Sequence, residues 1–361
     1  MPIRVLCVFS LLDRGGAESM CMNLYRNIDR NLVQFDFVKH TSKTCDFEKE
    51  IRKLGGKIYQ APQYKIYNHF TYCDWWDRFF KLHPEYKIVH GHYYTTSSIY
   101  FKVAKKNNRI TIGHSHSSSI DGKIKELLIR NVQKYSDYCF ACSNEAGKWL
   151  FPHRKFKLLN NAIDSELYVY SEEKRKKIRK DFNISDEFVI GHIGNFATVK
   201  NQSFLVDIFK KVHEKNSKTK LIMVGGCDRS LIENKVSLLH LENDVIFTGA
   251  RSDVADLLQA FDVFVFPSLY EGLGIVTIEA QASGLHTICS DVVPKATQIT
   301  DLIEYVSLEE LPEKWADTVL KYNNRYKRED TSKQIRAAGY DIHTTAKKVQ
   351  SFYLKLTERS K

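Results

Sequence analysis

No apolar run in this 361-residue chain is long enough to cross a bilayer, which takes about 20 residues. The opening MPIRVLCVFSLL is short and has neither the basic leader nor the small-residue cleavage site of a secretory signal, so cytoplasmic placement is expected. Glycine-rich and proline-rich linkers are missing, as are low-complexity segments and obvious repeats, which excludes a tethered or solenoid organisation. Eight cysteines are too scattered for a disulfide framework. Several, such as Cys7 and Cys289, sit in apolar strand-like runs and read as reduced core thiols. Cys139 and Cys142 have zinc-like spacing but no second pair or CxH partner nearby, so no metal is expected there. GxGxxG is missing after the first strand-like run, which counts against a nicotinamide or flavin dehydrogenase.

What is present favours packed cores. The length suits two domains of roughly 150 to 200 residues, and a hydrophobic fraction of 43% excludes disorder. Lysine and arginine outnumber aspartate and glutamate 54 to 43, a surface that attracts polyanions, anionic headgroups or phosphorylated ligands. The densest run, EEKRKKIRKD at 172–181, reads as an exposed, solvated helix face at a domain junction. No aromatic platform, helix-turn-helix pattern or zinc finger accompanies it, so no nucleic acid is expected as a partner.

A short β-branched run, a small or polar loop and an amphipathic helix recur along the chain: IRVLCVFS before MCMNLYRNI, YKIVHGHYY before TSSIYFKVAKK, ITIGHSHSSS before KIKELLIRNVQKY, SDYCFACS before NEAGKWLF. The theme pauses near KLLNNAIDSELY at 157–168, then restarts with FVIGHIGNF, KLIMVGG, DVIFTGA, DVFVFPS and HTICSD. Such alternation specifies an α/β protein with two helix-covered parallel sheets, joined around 165–185. The docking partner of the last apolar-periodic helix, about 340–358, is not readable from periodicity. In open parallel sheets ligands bind beyond the carboxyl ends of strands, so each loop after a strand is a candidate.

Gly15 and Gly16 in DRGGAES follow the first strand and precede a helix. They suit either a tight turn or close backbone approach to a phosphate at the helix N-terminus. GNFATVKNQSF opens the second series in the same position; there Lys200 is either an ordinary surface residue or a point charge for a diphosphate. His90 and His92 end one strand, His114 and His116 another, each pair showing one face. A hydrogen-bonded structural role suits any one of these histidines, and substrate contact suits at least one of the second pair. The sharpest stretch is LYEGLGIVTIEAQASG at 269–284. Glu271 lies in a loop, Gly272 and Gly274 permit close backbone contact, and Glu279 falls roughly one turn into the following helix. Both carboxylates can line one edge of a ligand whose phosphate meets the helix start. An acid/base pair flanking a scissile bond would need an opposing wall that this stretch does not supply.

Together, YEGLGIVTIEAQASG, RGGAE, LLNNAID and GNFATVKNQSF resemble the retaining family-4 glycosyltransferases of GT-B fold, and CSNEAGKWLF, VGG, FTGARSDVADLLQAFDVFVFPS and EAQASGL are similar to their capsular and exopolysaccharide branch. The resemblance runs from about residue 4 to residue 300. It implies two Rossmann-like doubly wound domains facing an interdomain cleft: 1–168 for the acceptor, 169–339 for the nucleotide-sugar donor, and a helix at 340–361 crossing back to the first. It implies that Glu279 receives ribose hydroxyls. Glu271 with the backbone of Gly272, Leu273 and Gly274 would hold the donor sugar, while Lys200 meets the diphosphate and Gly15 and Gly16 close over it. His116, or else His114, would contact the transferred sugar, with His92 and Gly225 as further candidates. Where the family usually has arginine after the second-domain glycine, this chain has Asn195, which donates a hydrogen bond but carries no charge.

No Asp-x-Asp occurs, so metal-independent transfer is expected, without a cofactor beyond the nucleotide-sugar co-substrate, for which a UDP-sugar is expected. The resemblance further implies retention of anomeric configuration and a saccharide acceptor, lipid-linked, at the inner face of the membrane, where the basic surface suits anionic headgroups. A nucleotide-sugar epimerase, a phosphorylase and a catalytically silent nucleotide-sugar-binding protein are the alternatives.

Overall fold

The computed structural model describes residues 1–92, 94–117, 129, 131–324 and 326–358. Most of the helix expected at 123–135 lies outside the described residues. The chain divides into two compact units, Met1–Ile163 with Gly339–Lys361, and Asp164–Ala338.

Among the described residues the first unit holds a seven-stranded parallel sheet in the order β3-β2-β1-β4-β5-β6-β7. The strands are β1 Ile3–Val8, β2 Val33–Lys39, β3 Ile58–Gln60, β4 Ile88–Gly91, β5 Ile110–Ser115, β6 Tyr138–Ala141 and β7 Lys157–Leu158. Both sheet faces are covered: β1 reads as a near-continuous apolar run after Arg4, and β2 is buried along its whole length although it carries Gln34, Asp36 and Lys39. On one face the aromatic helix His69–Leu82 buries Tyr72, Trp76, Phe79 and Phe80 against Leu6 and Val89, as its composition suggests for a helix packing on its own sheet. On the other, the helices Gly16–Asn27 and Ile342–Glu358 pack together. The C-terminal helix is led there by main-chain bonds in which Ile163 N–H donates to Tyr340 and Ile342 N–H to Ile163. Tyr353 anchors it within that core.

The second unit holds a six-stranded parallel sheet ordered β10-β9-β8-β11-β12-β13: β8 Phe188–Ile193, β9 Thr219–Val224, β10 Val245–Gly249, β11 Val263–Phe266, β12 Thr287–Ser290 and β13 Ile303–Val306. In each sheet the strand order reverses beside the first strand, between β1 and β4 and between β8 and β11. Ligands of doubly wound sheets bind at such switch points.

Two features differ from the sequence reading. Residues 164–168 belong to the second unit, because the short turn Ser165–Tyr168 packs on the helices Val254–Ala260 and Ile275–Ala282. The basic helix Glu172–Asp181 is not solvated all round: Arg175 and Arg179 are buried. Their guanidinium groups donate to Asp262 and to the carbonyls closing the helix Val254–Ala260, a helix end that carries partial negative charge. Lys174, Lys176, Lys177 and Lys180 keep the exposed face.

Candidate active site

In the second unit the switch-point loops follow β8 and β11, and they are tied together. Leu269 N–H donates to the Val199 carbonyl at 2.8 Å. Lys200 ends a short turn, Thr198–Lys200, and the next residue, Asn201, takes the left-handed conformation that asparagine tolerates, reversing the chain into the helix Gln202–Lys215. The Lys200 ammonium lies 2.5 Å from Glu271 Oε1 and 4.9 Å from the Phe266 ring centroid. Two residues singled out separately in the sequence therefore form one ion pair. Their side chains are 23% and 9% exposed, so the pair is shielded enough to matter yet open to a ligand.

Beyond Glu271, Leu273 is buried and Gly274 is left-handed at φ 80°, a conformation that strains any residue with a Cβ. Gly274 opens the helix Ile275–Ala282, and no side chain caps that helix start among the described residues. Its first N–H groups and partial positive charge suit an anion. Glu279 sits four residues in, about 6 Å along the axis. It accepts a 2.8 Å hydrogen bond from the Tyr168 hydroxyl. Burial raises its carboxyl above the ordinary value and the Tyr168 hydrogen bond opposes that shift.

Asn195 follows β8 and uses its Oδ1 to accept from Gly226 N–H at 3.1 Å, which joins the β8 and β9 loops. Gly225 packs so closely on the Gly194 carbonyl that a Cβ there would collide with backbone, so its glycine already has a structural reason. Sequence reasoning missed His192 and Tyr168. His192 Nδ1 lies 2.9 Å from the Val265 carbonyl, so that nitrogen carries the proton, while buried Nε2 has no partner among the described residues. Burial lowers its pKa to about 4, keeping the ring neutral. The Ile-Gly-His-Ile-Gly pattern at the end of β8 was the available signal; for Tyr168 there was none, since it bonds 111 residues away.

In the first unit Gly15 leads into the helix Gly16–Asn27 without a side-chain cap among the described residues. A Cβ on Gly16 would meet no atom of the described residues within 4 Å, so their packing does not demand a glycine there. Partly buried Glu18, in the first turn, has its carboxyl raised to about 7 by burial and by nearby Asp13. The four candidate histidines converge. His92 Nδ1 and His116 Nε2 lie 2.9 Å apart, and the His114 and His116 ring centroids 4.1 Å apart. His90, His92 and His114 are buried, whereas His116 keeps partial exposure.

Two Rossmann-like units with these loops at their switch points define the GT-B class of sugar-transferring enzymes. HepE of Anabaena, solved with UDP and glucose, has the same fold, with a TM-score of 0.81 at 16% identity over 98% of this chain and all of that one. The family model for glycosyl transferases group 1 matches residues 174–340. The chain is 32% identical to the glycosyltransferase EpsF of Bacillus subtilis over 99% of its own length and 97% of that protein's. It is 24% identical, over 98% and 99%, to the capsular polysaccharide biosynthesis glycosyltransferase CapH of Staphylococcus aureus. The chain belongs to the glycosyl transferases group 1 family and is a glycosyltransferase.

Proposed function

We propose that the chain moves a sugar from a UDP-sugar to a lipid-linked saccharide acceptor in capsular or extracellular polysaccharide synthesis, with retention and without a metal. The observation that carries this reading is the Lys200–Glu271 pair beside the uncapped start of the helix bearing Glu279. A ligand with sugar hydroxyls, a diphosphate and ribose hydroxyls finds a carboxylate, a cation with helix N–H groups, and a second carboxylate in that order. UDP in HepE and the polysaccharide role in the name of CapH support the donor and the product class. For the lipid-linked acceptor the support is the cationic surface.

In the proposed reaction the anomeric C–O bond breaks and its electron pair stays on the diphosphate. Lys200 and the helix start stabilise that charge as it develops, without reorganising. The acceptor hydroxyl bonds to the anomeric carbon on the same face and gives its proton to the leaving phosphate oxygen. His116 touches the transferred sugar and the Gly15–Gly16 backbone meets the diphosphate, while Asn195 holds the loop through Gly226 and leaves the charge to Lys200. No helix among the described residues is long and apolar enough to cross a membrane. Peripheral attachment at the inner face of the membrane is part of the proposal.

The test is sugar transfer from a panel of UDP-, GDP- and ADP-sugars to membrane-extracted lipid-linked saccharides, in the presence of a chelator. Transfer from a UDP-sugar alone is the expected result. Epimerised donor without acceptor, sugar 1-phosphate formed with phosphate, or donor binding without turnover would each replace the proposal.

A further inference from the structure

The histidines at the ends of β4 and β5 are packed in a way that sheet formation does not explain. His90, His92 and His114 are 1%, 4% and 0% exposed. Their ring centroids lie 4.2 to 5.3 Å apart. Among the described residues His90 Nε2, His92 Nε2 and both nitrogens of His114 are buried without a hydrogen-bond partner. Leaving one such group unsatisfied costs about 1–3 kcal/mol, and native proteins rarely cluster them.

The remaining nitrogens are engaged in a telling order. His90 Nδ1 lies 2.6 Å from the Tyr353 hydroxyl, and His92 Nδ1 lies 2.9 Å from His116 Nε2. If each Nδ1 donates its proton outward, each Nε2 presents a lone pair inward. Metal-bound histidines are held this way, the far N–H fixed by a second partner. One nitrogen from each of His90, His92 and His114 lies within 4.8 Å of the others. Tetrahedral coordination at about 2.0–2.1 Å sets ligand atoms roughly 3.4 Å apart, so small ring rotations close the set.

We propose that His90, His92 and His114 form a binding site for a late first-row divalent cation of the Zn²⁺ class, with Tyr353 and His116 aiming two of the imidazoles. The three nitrogens carry no charge and, among the described residues, no carboxylate joins them, a donor set that selects Zn²⁺, Co²⁺, Ni²⁺ or Cu²⁺ over the oxygen-seeking Mg²⁺ and Ca²⁺. A second grouping, Cys7 and Cys21 with His92, shares one ligand. It is disfavoured because it leaves the unpartnered nitrogens of His90 and His114 unexplained. The cation would tie β4 and β5 to the C-terminal helix through Tyr353. It is structural, and none of its ligands is Lys200, Glu271 or Glu279.

The experiment uses the full chain after chelator treatment, titrated with Zn²⁺ by calorimetry and with Co²⁺ by visible absorption. One saturable equivalent is expected, with tetrahedral Co²⁺ bands, little thiolate charge-transfer absorption, and no competition from excess Mg²⁺. His114→Gln should weaken Zn²⁺ binding at least about a hundredfold, and Tyr353→Phe, which deletes one oxygen, by roughly ten- to a hundredfold. Should His114→Gln fail to fold, the wild-type Co²⁺ spectrum and Tyr353→Phe decide. No saturable binding, strong thiolate absorption, or an affinity unchanged by these substitutions overturns the proposal.

Discussion

Lys200 and Glu271, 71 positions apart in the chain, meet at 2.5 Å where the loops after β8 and β11 are tied together. Each holds the other in place before any donor arrives. Lys200→Ala should lower sugar transfer by about 10² to 10³ and leave the circular dichroism spectrum unchanged. Glu271→Gln keeps the size but removes the charge, and should raise the donor KM more than it lowers kcat. Activity within twofold of wild type in both variants would remove the pair from the site.

The Tyr168 hydroxyl and the Glu279 carboxylate make a pH prediction. Burial raises the Glu279 carboxyl and the hydrogen bond from Tyr168 counteracts it. Tyr168→Phe should therefore push the carboxyl further up, and the acidic limb of donor affinity should move to higher pH. The check is donor KM against pH for both proteins; a limb that stays or moves down contradicts the assignment. By linkage, a raised carboxyl favours the folded state at low pH, and that contribution fades as pH rises through its folded value.

Gly16 and Gly274 should respond in opposite ways. Gly274 is left-handed, so Gly274→Ala should cost about 1–2 kcal/mol of stability. A Cβ on Gly16 meets nothing within 4 Å among the described residues, so Gly16→Ala should leave stability within about 0.5 kcal/mol. Its kcat/KM should nonetheless fall at least about tenfold if backbone approach is what the glycine provides. Urea unfolding and steady-state kinetics on the two variants separate these outcomes.

Acid should loosen the first unit before the second. Burial lowers the pKa of His90 and His116 to about 3 and of His40 to about 4, and holds His92 and His114 well below normal. All of these lie in the first unit, whereas in the second the histidines lowered by burial are His192 and the less deeply buried His286. A histidine with a depressed folded pKa contributes stability that is complete above its unfolded value, about 6.5, and is lost as pH falls. The slope is about 1.4 kcal/mol per pH unit for each such ring. Hydrogen exchange on chelator-treated protein at pH 7 and pH 5, corrected for intrinsic rates, should show protection lost first across β4 and β5. Uniform loss in both units would contradict this.

The parallel α/β architecture was legible because β-branched runs alternate with 3.6-periodic helices, and the loops at both switch points were legible because glycines and charges punctuate them. Glu271 and Glu279 were found from one local stretch. Lys200 was found as well, but its pairing with Glu271 was not, and Tyr168 was missed, since both reach across the unit and periodicity carries no long-range pairing. The buried arginines of Glu172–Asp181 were misread for a related reason. A charge run looks solvated until the helix end it caps, Val254–Ala260, is placed beneath it. The histidine pairs were seen as two faces, but their convergence depends on β4 and β5 being neighbours in register, with His90 opposite Ile112.

We propose that the second unit grips a uridine diphosphate through Glu279 and Lys200. Calorimetric titration of UDP into the wild-type chain and into Glu279→Ala and Lys200→Ala tests it most directly. Saturable binding to wild type is expected, weakened at least about tenfold by either substitution, an interaction loss near 1.4 kcal/mol or more. UDP affinity unchanged in both variants, or no UDP binding to the wild type, would contradict it.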